Sequence, residues 1–400
     1  MNQKSYIRIG TSYYRIVQAP SLKGGFNETL IKWDKLTIIE DHNREYLSQI
    51  PKYHGKICFP NHFNFSKEIH GFYNTYSPLK YFPKQGSVFH TLNFFKHIFG
   101  SHLEIGLDYF KLLYEKPSQI LPVLCLVSRE RVTGKSSFLK YLKEVFGLNM
   151  TYLDSHTLNS NFNLDWGNKL LLGLDEAVLQ KEEITEKIKY LSTSNINKIE
   201  AKGKERFEVD FFGKFILCSN WEDSFIKIDS DETRFWVRKI PKLENEDVNF
   251  LDKLIDEIPA FLDYIKSRDF ATERKTRMWF TPEQIYTNAL KKLVSNNKNK
   301  VEKEIGQLLY SVIEKFELEE VHFSLMDLLN ALTKTRVKTD LTQLRKLLKA
   351  EWKIEQKNNS FKYQKFVILS DGDIVLTDTK GRYYTVTKTF LHKTFDDLMT

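Results

Sequence analysis

The chain has little cysteine, little glycine and no long apolar run, and each shortage excludes something. Three cysteines, Cys58, Cys125 and Cys218, stand far apart in 400 residues. They supply neither a disulfide framework nor a zinc ligand set, which favours a reducing compartment. The longest uncharged stretch, Pro117–Ser128, falls well below the roughly 20 residues a membrane helix needs. The opening MNQKSYIRIGTSYYRI lacks the apolar centre of a secretory signal. A cytoplasmic protein without a membrane partner is therefore expected. With 17 glycines and neither an internal repeat nor a low-complexity tract, disordered and repeat architectures are excluded. Charge of neither sign dominates: 60 basic against 52 acidic residues leave +8, which suits a polyanionic partner without requiring one. What remains is 41% hydrophobic and 28% charged, a folding chain long enough for two or three domains.

Organisation follows from periodicity. YIRIG-TS-YYRIV alternates polar and apolar residues about a Gly-containing turn, predicting a hairpin in a β-rich segment that runs to about residue 85. Apolar residues at three- and four-residue spacing over 87–114 predict a helical pair ended by Pro117. Apolar runs at Ile120–Val127, Lys169–Leu174, Lys214–Cys218 and Phe235–Ile240, interleaved with helical patterns, predict an α/β sheet. Thr281-Pro282-Glu283-Gln284 reads as a capping box opening a helix to about Val294, and 296–300 as a linker. Helical patterns at 301–316, 324–332 and 339–351 precede strand-like Lys353–Gln356, a polar turn at 357–360 and strand-like Phe361–Leu369, the order of a winged helix. The expected divisions are 1–117, 118–245, 246–300 and 301–400.

The first chemical motif follows the Ile120–Val127 run: Ser128-Arg129-Glu130-Arg131-Val132-Thr133-Gly134-Lys135-Ser136-Ser137, then an amphipathic helical segment. Strand, loop with Gly-Lys-Ser, helix is the setting of a phosphate-binding P-loop. Loop N–H groups around Thr133, Gly134 and Ser137 would hold phosphate, Lys135 would neutralise the β and γ groups of ATP, and the Ser136 hydroxyl would ligate Mg²⁺. Arg129 stands where that motif has its first glycine. Downstream, the apolar run 169–174 ends in Asp175-Glu176, suited to a magnesium shell and to polarising an attacking water respectively. The run 215–218 ends in Ser219-Asn220, a neutral amide able to orient water. Arg234 precedes the last run and Arg238 lies farther along it. Between the acidic pair and Asn220 in sequence, Ile196–Ile199 and Arg206–Val209 bracket a Lys202-Gly203-Lys204 tip that suits single-strand phosphate, or equally a solvated turn.

In this order and spacing the motifs resemble the superfamily-three helicases, AAA+-related replicative ATPases of viruses, phages and plasmids. The flanking sequence resembles the helicase part of phage or mobile-element primase-helicases. The resemblance covers about residues 118–242. It implies Lys135 and Ser136 as Walker A, Asp175 and Glu176 as Walker B, Lys202 and Lys204 as the channel hairpin, Asn220 as the sensor, and Arg234, with Arg238 less well placed, as the arginine finger. It further implies Mg-ATP hydrolysis shared between subunits of a hexamer, translocation on single-stranded or forked DNA, a primase or initiator partner, and a bacterial or phage-infected cytoplasm. No amino-terminal primase motif accompanies it.

A DNA-moving or protein–DNA remodelling ATPase that does not unwind, and a nucleotide-dependent assembly protein, remain open alternatives. In the carboxyl-terminal segment ten basic residues between Lys334 and Lys365 face three acidic ones, and Arg345, Lys346 and Lys349 share one helical stretch. Duplex docking and protein docking both fit that charge. His90, His97 and His102 fit surface or core positions better than a metal site.

Overall fold

Segments rich in Leu, Val, Ile and Cys without polar alternation become strands covered on both faces. The computed structural model pairs four apolar runs and one short edge segment in parallel. They are β1 (Val123–Val127), β2 (Met150–Tyr152), β3 (Leu171–Leu174), β4 (Lys214–Ser219) and β5 (Phe235–Lys239), in the order β5-β1-β4-β3-β2. The structure describes residues 5–395 apart from 23–24, 161–162, 180, 201–206, 229–231, 245, 298–299, 336, 338 and 370–371. Strand β4 is inserted between β1 and β3, with Ser219 level with Val127 and Leu217 level with Leu174. The carboxyl ends of β1, β4 and β3 therefore lie side by side.

Successive side chains enter two cores. Leu124, Leu126, Ile216 and Trp236 pack with helices Phe89–Phe99, Leu103–Glu115, Lys135–Phe146 and Ile258–Ser267. Cys125, Val127, Leu172 and Leu217 pack with helices Glu182–Thr193 and Asn288–Asn297. The helical pair expected over 87–114 is thus one layer of the sheet's own sandwich. Phe99 stacks on Trp236 at 5.3 Å between ring centroids, so the boundary expected at residue 117 does not separate two cores. The opening hairpin forms as expected, Tyr6–Ile9 against Ser12–Pro20, turning where Gly10 takes φ 58°.

Three sequence expectations shift. The helix from Pro282 stops at Ile285, because Thr287 hydrogen-bonds the Val237 carbonyl of β5 and its hydroxyl then accepts from Leu290 N–H, capping a new helix, Asn288–Asn297. That helix runs through the start of the expected linker, and Lys300 already opens the next helix, Lys300–Lys315. In the carboxyl-terminal segment the hairpin is Phe361–Ile368 with Ile374–Gly381, closing near Gly372 at φ 89°. It does not turn at 357–360, and 353–356 are not a strand. Two short strands, Glu320–Phe323 and Tyr384–Thr387, pair antiparallel beside it. This segment closes on its own apolar cluster, including Leu309, Phe323, Leu344, Phe366 and Phe395.

Lys214, the first residue of β4, is buried with its ammonium donating to the carbonyls of Pro117 and Phe212 and no ion-pair partner among the described residues. Burial pushes its pKa down to about 7. The folded protein then binds fewer protons there than the unfolded chain as pH rises through 7 towards the ordinary lysine value, so stability rises over that window. Denaturant melts of the parent and Lys214→Met at pH 7 and 8.5 should show the parent gaining about 1.5 kcal/mol relative to the variant. An unchanged difference would mean that Lys214 titrates as an exposed lysine does.

Candidate nucleotide site at the carboxyl edge of the sheet

The loop leaving β1 is fastened before it turns. Ser128 N–H donates to the Ser219 carbonyl at 3.1 Å, tying the end of β1 to that of β4. Arg129 N–H donates to Glu222 Oε1 at 2.9 Å, and the Arg129 guanidinium pairs with Asp223. Left-handed backbone falls at Val132 (φ 56°) and Gly134 (φ 85°), not at 129. That is why an arginine is tolerated where the P-loop pattern has glycine. Gly134 is constrained twice, since a Cβ there would also stand 2.8 Å from Phe94 Cε2. His97 Nε2 donates to the Thr133 carbonyl at 3.0 Å, so this histidine braces the loop from the neighbouring helix.

Lys135 opens helix Lys135–Phe146 and is 6% exposed. Its ammonium donates to neutral acceptors only, the Ser128 carbonyl at 3.2 Å and Thr133 Oγ1 at 3.0 Å. Burial lowers its pKa, opposed by the field of Cys218, Asp175 and Glu222. It is a buried cation without an ion-pair partner among the described residues. Ser136 is exposed and Ser137 half-buried on the same first turn.

Asp175 and Glu176 follow β3 and are both exposed. Glu176 takes φ 56°, and its N–H donates to Asp175 Oδ1 at 3.2 Å. The turn is stitched to β4: Ala177 N–H donates to the Cys218 carbonyl at 2.7 Å, and Ser219 Oγ donates to the Ala177 carbonyl at 2.7 Å. Asn220 is exposed at the end of β4, between the loop and the acidic turn. Sequence reasoning missed Ser219 and Glu222. Glu222 is 6% exposed. Its burial would raise the carboxyl pKa, but the Arg129 N–H and the Lys239 ammonium, 3.1 Å away, outweigh that and hold it below the ordinary value.

The arginines separate. Arg234 precedes β5, and its carbonyl accepts from Val123 N–H at the start of β1. It lies at the opposite edge of the sheet from Lys135, a strand length of about 16 Å away, and pairs with Glu232 at 2.9 Å. Arg238 is held inside, its guanidinium on His102 Nδ1 at 2.8 Å and the Phe99 carbonyl at 2.5 Å. Lys202 and Lys204 lie outside the described residues; the strands below them, Ile196–Ile199 and Phe207–Asp210, pair antiparallel. Arg345, Lys346 and Lys349 are exposed, opposite the buried Leu344, Leu347 and Leu348. Lys334 and Lys365 are engaged internally, on the Ile368 carbonyl and on Asp327.

Among known proteins, residues 126–238 match a family of unknown function, DUF5906. No curated protein matches the chain. Similar solved structures include two of the NrS-1 C-terminal region without ligand. One aligns at a TM-score of 0.59 and 14% identity over 94% of each chain. The other, spanning residues 305–718 of NrS-1, aligns at 0.58 and 16% identity over 86% of this chain and 82% of that one. A JCV helicase with an acetamide compound bound aligns over 64% of this chain at 0.29 and 12% identity, a score at which no common fold is shown. This chain shares the fold of the NrS-1 C-terminal region over nearly its whole length.

Proposed function

We propose that the chain is a ring-forming, ATP-dependent DNA helicase of a phage or mobile element. The observation that carries this reading is the meeting, at one edge of a parallel sheet, of a buried lysine lacking a carboxylate partner with an exposed Asp-Glu pair and an amide. Open α/β sheets bind ligands at this edge where the strand order reverses. The residues fit a magnesium nucleotide. The Lys135 charge is met by neutral acceptors alone, and Gly134 leaves the loop free of a Cβ. Among the described residues no cluster of three acidic, histidine or cysteine side chains is placed to hold a metal. Magnesium would then rest on Ser136 and Asp175 with phosphate and water supplying the remaining oxygens.

In this mechanism Lys135 neutralises phosphate charge, Thr133, Gly134 and Ser137 offer loop and helix-start N–H groups, Glu176 polarises the attacking water, and Asn220 orients it. Bound nucleotide supplies the free energy for movement. Arg234, a strand length from its own subunit's Lys135, serves a neighbour's site, which calls for a closed ring such as a hexamer. Arg238 is committed to the helical layer. Lys202 and Lys204 would follow a single strand. The helix, helix, helix, hairpin order of 300–381 supports a winged helix whose Arg345, Lys346 and Lys349 dock on duplex, with a primase or initiator as a further partner. No described helix is long and apolar enough to cross a membrane.

Lys135→Ala should abolish nucleotide binding in a titration with Mg-ATP, whereas Glu176→Gln should bind it and lose hydrolysis. Parental turnover in the Gln variant would remove Glu176 from the reaction. Arg234→Ala should lower turnover by about 10³–10⁵ with nucleotide still bound. Mixing it with Lys135→Ala should restore part of the rate, because some interfaces then pair an intact loop with an intact arginine. No recovery on mixing would place the arginine in its own subunit's site or outside catalysis. Replacing Arg345, Lys346 and Lys349 together by Gln should weaken duplex binding and make its salt dependence shallower by about 0.9 for each phosphate no longer neutralised. Unchanged duplex affinity would turn that helix over to protein docking.

A further inference from the structure

An open cleft of about 850 Å³ lies at the amino-terminal edge of the sheet, away from Lys135. Pro117–Ile120 pass along it into β1, and Thr193 and Asn195 pass along it into the Ile196–Ile199 strand. Phe211 N–H donates to the Asn195 carbonyl at 2.8 Å, closing the foot of that hairpin at the rim.

The lining pairs aromatic rings with cations. Phe59 and Phe63 are 49% and 45% exposed and both line the cleft. Phe63 is braced edge-on against Tyr114 at 5.1 Å between centroids. Beside them stand Lys116, Arg274 and Arg277, all exposed and without ion-pair partners among the described residues. The Lys116 ammonium is held over the Phe270 and Trp279 rings at 5.2 and 4.8 Å. The Arg277 backbone is anchored by Gln119 Nε2 on its carbonyl at 2.8 Å. Glu115 is the carboxylate of the described lining, and the buried Lys111 already occupies it at 2.6 Å.

Unpaired cations on anchored segments next to exposed flat rings complement a chain that alternates phosphate with an unstacked base. A duplex hides its base faces and leaves the rings without partners. We propose that this cleft binds single-stranded nucleic acid, with phosphates on Lys116, Arg274 and Arg277 and bases stacked on Phe59 and Phe63. The strand would pass along the foot of the hairpin. The proposal does not rest on the ATPase reading, since none of these residues lies at the Lys135 edge.

The test is fluorescence anisotropy of labelled oligothymidylate and oligouridylate with the full chain, without nucleotide, across a salt series. Arg274→Gln with Arg277→Gln should weaken both and make the salt dependence shallower by about 1.4, at about 0.7 for each phosphate no longer neutralised. Phe59→Ala with Phe63→Ala should weaken both by about tenfold or more and leave the salt dependence unchanged. Phe59→Tyr with Phe63→Tyr should restore affinity, which separates stacking from a folding defect. Neither sugar should be preferred, because rings and guanidinium groups do not read the 2′-hydroxyl. Parental affinity and salt dependence in the Gln variant would overturn the proposal, as would failure of the Tyr variant to restore binding. An equal loss for a matching duplex would overturn it as well. So would a change in assembly by sedimentation with unchanged affinity per protomer, which would make the cleft an interface between subunits.

Discussion

Ser219 holds the proposed site together. Its carbonyl accepts from Ser128 N–H, fixing where the loop leaves β1, and its hydroxyl donates to the Ala177 carbonyl, fixing where the acidic turn leaves β3. Both bonds exist because β4 runs between those two strands, a placement that follows from the parallel pairing on each side. Each bond is worth about 1 kcal/mol net. Their value lies in geometry, because they set the spacing between a buried ammonium and two carboxylates that belong to different loops. The two apolar layers on the sheet supply the rigidity against which such small terms can act.

Charge is distributed between the two edges in different ways. At the carboxyl edge one buried lysine is met by carbonyl and hydroxyl oxygens, while the nearest acids act through space. Glu222 and Asp223 hold the loop by the Arg129 amide and guanidinium, a fastening that takes over what a glycine-led turn does elsewhere. At the amino edge the cations of the cleft face solvent beside exposed rings, and Arg234 is balanced by Glu232, whose carboxylate also lies 3.7 Å from Lys189. The proposed phosphate site and the proposed single-strand surface call for these opposite arrangements, one enclosed and one open.

Strands β1, β3, β4 and β5 were legible because they are continuous apolar runs ending in turn residues, and the chemistry sits at those ends. The three-residue edge strand β2 was not, since Met150–Tyr152 is too short to carry a period. Ser219 and Glu222 escaped notice for a related reason. Their importance depends on which strands are neighbours, and a serine or glutamate after an apolar run looks like any turn residue. The break at Thr287 was hidden because the carbonyl that captures its hydroxyl lies fifty residues away. The displaced hairpin was readable, since Asp371-Gly372 is a stronger turn signal than Asn358-Asn359. The cleft was out of reach, because its rings and cations come from three separated stretches of chain.

A magnesium nucleotide held at the carboxyl edge of the sheet, as proposed, would shield the N–H groups of its loops. Hydrogen–deuterium exchange with and without a slowly hydrolysed ATP analogue and Mg²⁺ tests it most directly, because it reads the backbone N–H groups themselves. Protection should concentrate in 129–137, 175–177 and 219–222. Unchanged exchange in those segments at saturating nucleotide, or protection confined to the opposite edge, would contradict it.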